Sequence, residues 1–364
     1  MQAVDAMRLG IMSVVPRAEC VGVPMADGGE GTVDAVIDAL DGQRVVVDVA
    51  DALGGPISAT FGYVPQRRLA VIEIAAAAGI EIIAPDERDA LGASTFGVGQ
   101  LITSALDQGA TEMLIGLGGS ATNDGGTGML TALGVRFFDA AETTFLRGWC
   151  ARTSASNRRV RNRPTAAEHA HSPGLRCHRA SPRPNRCKRR LRTSKGRRAP
   201  DVARLESALT HLACVTSSTL GHAHPARAGA GAAGGLGFAL LEFLGAESQP
   251  GVQVVAEAVG LEDAIAGADW VFTGEGSVDA QTVQGKTPFG VAQLARRHNV
   301  PVIVFGGRIS PDASILHQHG VHELVVITPE GTPVEKALRD GPAALARATA
   351  EACRRLGSLN CGNR

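Results

Sequence analysis

Met113-Leu114-Ile115-Gly116-Leu117-Gly118-Gly119-Ser120-Ala121-Thr122-Asn123-Asp124-Gly125-Gly126 is the stretch on which the fold class turns. Its first five residues are a continuous apolar run, the pattern of a strand buried on both faces. The next nine hold four glycines, two hydroxyls, an amide and a carboxylate, more than a plain connection needs. Met129, Leu130 and Leu133 then recur at helical spacing. Strand, glycine-rich loop and helix form the repeating unit of a parallel α/β sheet, whose ligands sit at the carboxyl ends of its strands.

The same grammar extends in both directions. Upstream, Val98, Leu101, Ile102, Ala105 and Leu106 predict a helix that Gly109 stops. Residues 45–49, 58–64 and 69–74 predict three short strands of a meander, divided by Leu53-Gly54-Gly55-Pro56 and Pro65-Gln66-Arg67-Arg68. In the C-terminal third, strands at 270–273, 300–305 and 323–328 alternate with helices over 288–298, after Ser310 and over 333–356. A further helix is expected over 238–244.

Composition sets the outer bounds. The chain has 364 residues, 44% of them hydrophobic, with 45 glycines, which excludes a disordered chain. Its 7 scattered cysteines exclude a small disulfide-stapled fold. The formal net charge of zero hides an asymmetry: residues 140–198 carry 17 Lys and Arg against 2 Asp and Glu, so the other 305 residues carry a net of −15. Phe145, Leu146, Val160, Leu175 and Leu191 are the large aliphatic or Phe residues of that basic segment, too few to offset its ordering entropy, so it is expected to be disordered. Residues 1–15 have no signal-peptide pattern, and the most apolar stretch, 71–84, is broken by Glu73 and Glu81. A soluble cytoplasmic protein with no membrane partner is the expectation.

Two other loops carry candidate chemistry. Asp27-Gly28-Gly29-Glu30-Gly31-Thr32 opens a helix with the apolar face Val33, Val36, Ile37 and Leu40; its amides suit an anion and its carboxylates a cation, or the polar residues simply cap the helix. Thr273-Gly274-Glu275-Gly276-Ser277-Val278-Asp279, continuing through Gln281 to Gly285-Lys286-Thr287-Pro288, sets two carboxylates four residues apart and a lysine before a helix. That set suits a metal and a phosphate, or it is a long loop ended by Pro288. Its partial likeness to a phosphate-binding P-loop fails, because six residues separate Thr273 from Ala280. In the 118–126 loop, Ser120, Thr122 and the glycine amides suit phosphate, and Asp124 suits a proton or a metal; the alternative is a turn with Asn123 and Asp124 in left-handed conformations. Gly229-Ala230-Gly231-Ala232-Ala233-Gly234 spells a dinucleotide fingerprint without the preceding strand, so it is expected to let a helix pack closely or to line a pocket. Cys150, Cys177, Cys187, His169, His171 and His178 lack the paired spacing of a zinc site. His317 and His319 cannot share a helix face.

Taken together, residues 23–32, 115–126, 229–237 and the 273–286 set, in this order and at these spacings, resemble the bacterial-type glycerate kinase family over about 5–138 and 200–355. The resemblance implies phosphorylation of D-glycerate with ATP and Mg²⁺, giving 2-phosphoglycerate. It also implies a Rossmann-like parallel-sheet domain with a second, inserted α/β domain. On that basis the Rossmann-like domain is expected to take 1–40, 85–138 and 229–364, and the insertion 41–84 and 200–228. The family's opening strand and its Asp-, Ser- and Lys-bearing loop have no counterpart here, which points to a truncated or misassigned start. The family pattern also lapses between Asp139 and Pro200, so 140–199 is expected to be an out-of-frame translation.

What the resemblance implies for the site follows residue by residue. Asp124, Lys286 and Asp279 are the expected catalytic residues, with Asp124 as base or metal contact. Glu275 and Asp279 face Mg²⁺. Asp27, Gly28, Gly29, Glu30, Gly118, Gly119, Ser120, Thr122, Asn123, Gly274 and Gly276 are the expected substrate- and phosphate-binding set. The loops are expected to converge on one pocket for a triphosphate and a hydroxy-carboxylate. A family member that binds without turnover is the alternative. Nucleic-acid binding by the basic segment is disfavoured, since its 17 cations are joined by Phe145 and Trp149 alone as stacking aromatics.

Overall fold

The computed structural model of the chain describes residues 2–138, 159–161, 175–178 and 199–360. Its contacts divide the chain into two compact units, Gly28–Val254 and the pair Met1–Asp27 with Val255–Arg364. One unit is thus inserted into the sequence of the other. The strands at 43–73 share a sheet with the strand at 112–116.

In the 28–254 unit, α2 (Thr32–Leu40) precedes the meander β1 (Gln43–Ala50), β2 (Pro56–Val64) and β3 (Leu69–Glu73). The short α3 (Ala75–Ala78), then α4 (Phe96–Asp107), lead to β4 (Glu112–Gly116), α5 (Thr127–Ala132) and β5 (Arg136–Phe138). Two strands follow inside the basic segment, β6 (Arg159–Arg161) and β7 (Leu175–His178). Then come α6 (Ala199–Leu220), α7 (Leu236–Phe243), β8 (Glu247–Gln249) and α8 (Gly251–Ala258), within which the unit border falls. The sheet order is β1-β2-β3-β4-β7-β8, antiparallel through the meander and parallel from β3 onward. β7 corrects the expectation of disorder for its four residues: it fills the gap between β4 and β8, pairing Ile115 with Cys177 and Cys177 with Ser248. β6 pairs antiparallel with β5. The rest of that segment's expected disorder, its out-of-frame origin and the side chains of its cysteines and histidines lie outside the described residues. The core of this unit centres on Phe61, Ile72, Leu101, Ile115 and Met129, all fully buried.

The other unit begins with α1 (Gln2–Val14), a helix that the sequence reading does not anticipate. It resumes with α9 (Leu261–Ile265), β9 (Val271–Val278), α10 (Thr287–Arg297), β10 (Val302–Ile309), β11 (Val321–Val326) and α11 (Val334–Asn360). The three strands form a parallel sheet in the order β11-β10-β9. The helix expected after Ser310 is a succession of 3-10 turns over Pro311–His319. α1 packs on α11 at Gly10, where a β-carbon would lie 2.4 Å from the Ala346 carbonyl oxygen. Among the described residues no helix is long and apolar enough to cross a membrane.

Candidate active site

In the 28–254 unit the first two glycine loops meet. A β-carbon on Gly116 would lie 2.6 Å from the Gly28 carbonyl oxygen, and one on Gly118 2.7 Å from Gly29 Cα. Glycine is therefore required at the end of β4 for the 28–29 turn to lie against it. Gly118 N–H donates to the Gly28 carbonyl at 3.4 Å. Gly28, Gly29, Gly118, Gly119, Ser120, Thr122, Asn123 and Asp124 are thus gathered in one neighbourhood. Glu30 stands exposed at its edge, and the first residue of that loop, Asp27, belongs to the other unit.

The helix that follows is not capped as the sequence suggests. Its N-cap, Gly31, is left-handed at φ 87° and offers no side chain, and Thr32 Oγ1 donates back to the Gly29 carbonyl at 2.7 Å. The carboxylate that receives the helix is Glu73, at the end of β3, whose Oε1 accepts from Val33 N–H at 2.8 Å. Burial pushes the Glu73 carboxyl above its usual range, while the amides of Val33 and Thr32 pull it back. Glu73 is forty residues from its partner, so no local pattern announces it.

Asp124 is buried and fully engaged. Oδ2 accepts from Thr95 N–H at 2.9 Å, Thr95 Oγ1 at 2.9 Å and Gly128 N–H at 3.0 Å, and Oδ1 accepts from Gly126 N–H at 3.0 Å. Thr95 Oγ1 also accepts from Met129 N–H at 2.9 Å, so the carboxylate ties α4 to α5 through one hydroxyl. Burial raises the Asp124 carboxyl, opposed by these same hydrogen bonds. A carboxylate oxygen has about two acceptor positions, and the donors here crowd onto Oδ2 rather than dividing evenly between the two oxygens. Asp124 therefore clamps the loop in this geometry, with three donors on Oδ2 and one on Oδ1.

The loop's amides are similarly engaged. Ala121 N–H donates to the Ala78 carbonyl, Thr122 N–H to Ser120 Oγ and Gly125 N–H to the Gly234 carbonyl. Gly119 is its exposed point, at φ 69°. The 229–237 glycines do let chains pack closely, as expected. A β-carbon on Gly234 would lie 2.1 Å from the Thr122 carbonyl oxygen, and one on Gly237 2.1 Å from that of Gly229.

The third loop belongs to the other unit, and half of it is strand. β9 continues through Glu275-Gly276-Ser277 to Val278, because each of Gly274, Glu275 and Ser277 pairs with β10 despite its polarity or lack of side chain. A β-carbon on Gly274 would lie 2.5 Å from the Phe305 carbonyl oxygen. At the strand's carboxyl end, Glu275 Oε1 accepts from Thr282 Oγ1 at 2.7 Å and from Lys286 Nζ at 3.2 Å. Lys286 Nζ also donates to the Ser277 carbonyl at 3.2 Å and stands 3.9 Å from Asp279 Oδ1. Asp279 Oδ1 accepts from Gln281 N–H at 2.8 Å, which fixes the turn. Lys286 is the N-cap of α10, so the cation sits where helix amides also face outward. The Glu275, Asp279 and Lys286 side chains remain 17%, 33% and 30% exposed, open enough to exchange partners with a ligand. Carboxylate oxygens facing one cation position from two sides are a donor set that suits a hard divalent ion. Arg308, exposed and in register with Ser277 on β10, is a further cation that sequence reading passes over.

Comparisons with known proteins bear on what these clusters do. The model of the glycerate kinase family matches residues 1–357. The chain is 40% identical over 339 residues to the glycerate kinase of Bacillus subtilis (strain 168), covering 93% of this chain and 88% of that one. It is 37% identical over 341 residues to the glycerate 2-kinase of Escherichia coli (strain K12), covering 93% and 89%. The crystal structure of a provisional glycerate kinase 2 from Salmonella typhimurium LT2 superposes with a TM-score of 0.84 at 34% identity, over 99% of this chain and 94% of that one.

Proposed function

This chain belongs to the glycerate kinase family, and on that premise we propose that it transfers the terminal phosphoryl group of ATP to a hydroxyl of D-glycerate, yielding 2-phosphoglycerate and ADP. The relatives' names make it a phosphotransferase acting on an alcohol. The observation that carries the residue assignment is Lys286 Nζ held between Glu275 at 3.2 Å and Asp279 at 3.9 Å where β9 ends and α10 begins.

In the reaction the substrate hydroxyl oxygen forms a bond to the γ-phosphorus as the bond from that phosphorus to the bridging oxygen breaks, and the hydroxyl proton must leave. Lys286 would carry charge on the transferred phosphate, turning from its two carboxylates to the phosphate oxygens. Glu275 and Asp279 would hold Mg²⁺, which when bound neutralises phosphate charge. Asp279, the more exposed carboxylate and fixed by Gln281, is our choice for the hydroxyl proton. Gly276, where a β-carbon would meet nothing within 4 Å, leaves room for phosphate, and Gly274 is assigned to the same set. Gly28, Gly29, Glu30, Gly118, Gly119, Ser120, Thr122 and Asn123 form the set to which we assign the glycerate hydroxyls and carboxylate, with Asp27 beside it in sequence. Asp124 serves that set by holding its loop in shape. A cytoplasmic location accords with this reading.

The test is a coupled assay of ADP release with D-glycerate, with the product's phosphorus resonance reporting which carbon is esterified. Lys286→Ala is expected to lower kcat by roughly 10²–10³-fold, the scale of losing one donor that stabilises developing charge. Turnover equal to the parent chain's would remove Lys286 from the mechanism.

A further inference from the structure

The turn after α6 and the last turn of α7 bring together two imidazoles and a carboxylate that the kinase reading does not use. Glu242 Oε2 lies 3.0 Å from His222 Nδ1 and 3.3 Å from His224 Nδ1. The two rings stack with centroids 5.9 Å apart. One ligand atom from each of the three side chains falls within 4.8 Å of the others. Their environments differ sharply: the Glu242 side chain is 2% exposed, the two histidines 52% and 64%. Glu242 Oε1 is buried and has no hydrogen-bond partner among the described residues.

We propose that His222, His224 and Glu242 form a binding site for a divalent transition-metal ion of the Zn²⁺ class. Two imidazole nitrogens and a carboxylate are the donors such an ion takes, and three protein ligands leave a fourth position for water on the exposed side. Donors bound tetrahedrally at about 2.0–2.1 Å stand roughly 3.3 Å apart, close to the two separations seen. The histidines are exposed enough to rotate the remaining distance, while the carboxylate is fixed by the helix. A bound ion also gives the orphaned Oε1 a partner, through a second, longer carboxylate contact or through its water. The two-residue spacing His222-Ala223-His224 places both rings on one turn, and that turn leads directly into the glycines that pack on Thr122. The ion would act as a clip between α6 and α7.

The experiment is calorimetric titration of Zn²⁺ into the full-length, tag-free chain after chelation and desalting, beside the variants His222→Gln, His224→Gln and Glu242→Gln. The expected result is one saturable site in the parent, weakened roughly a hundredfold or more in each histidine variant. Zn²⁺ should also raise the parent's melting temperature and leave those of the histidine variants unmoved. Both histidines are more than half exposed, so their replacement leaves the fold intact even where Glu242→Gln does not. Absence of saturable binding in the parent, or affinity in both histidine variants equal to the parent's, overturns the proposal; the latter would put the ion elsewhere, the cysteines and histidines of 140–198 included.

Discussion

Glu73 and Asp124 show how a residue's role is set by its partners. Asp124 is buried and Glu73 half-buried, and the folded-state values of both lie above the ordinary ones, so each binds its proton more tightly in the folded chain than in the unfolded one. The sign follows from linkage: the stability such a group contributes is present below its unfolded value and is lost as pH rises through the folded one. Glu73→Gln removes that titration while retaining an oxygen for Val33 N–H. Stability of the parent, measured by equilibrium denaturation from about pH 4.5 upward, is therefore expected to fall relative to the variant. Glu73→Ala, which leaves the Val33 amide without its acceptor, should cost about 1–3 kcal/mol. Asp124 was legible in the sequence as a polar residue in a conspicuous loop. Its four donors were not, because Thr95 lies twenty-nine residues away and the remaining amides turn inward only once α4 and α5 pack.

Elements were read well wherever burial and turn chemistry agree. The meander strands, β4, α4 and α5 all follow apolar runs bounded by glycine or proline. β9 was read as ending four residues after Trp270 begins its run, since Glu275-Gly276-Ser277 looks like loop. Pairing with β10 extends it, and ladder hydrogen bonds are indifferent to side-chain polarity. β7 is the harder case. Leu175-Arg176-Cys177-His178 alternates apolar and polar residues over only four positions within a segment poor in apolar residues, and its strand state is supplied by neighbours on both sides. Cys177→Pro deletes an amide from that interior position and is expected to cost roughly 3 kcal/mol or more in denaturant unfolding. The 229–237 glycines make a sharper test of close packing. Gly234→Ala combines a left-handed φ of 69° with a contact of 2.1 Å, and about 2–4 kcal/mol should be lost. Gly331→Ala, also left-handed at φ 80° but with nothing within 4 Å, should lose only about 1 kcal/mol in the same experiment.

At the scale of the whole molecule, alternation of strands and helices was enough to read α/β class, and the resemblance to the glycerate kinase family implied an interrupted domain. Its borders were not legible, because a meander that looks self-contained in sequence can share a sheet with a strand forty residues on, as β3 does with β4. Each unit has its own core, so damage should stay local. Gly10→Ala puts a β-carbon 2.4 Å from the Ala346 carbonyl oxygen, and overpacking should outweigh the small gain in helix propensity. Hydrogen exchange is expected to quicken in 2–14 and 334–360 and to stay at the parent's rate in the buried strands of 28–254.

That seam at Gly10 joins two helices far apart along the polypeptide, and synthesis runs in one direction. With about 320 residues between α1 and α11, a ribosome adding roughly 5–20 residues per second leaves the first helix waiting some 16–64 s for its binding surface to be made. During that interval an amphipathic segment is exposed, and the 28–254 unit is free to fold before either helix has found the other.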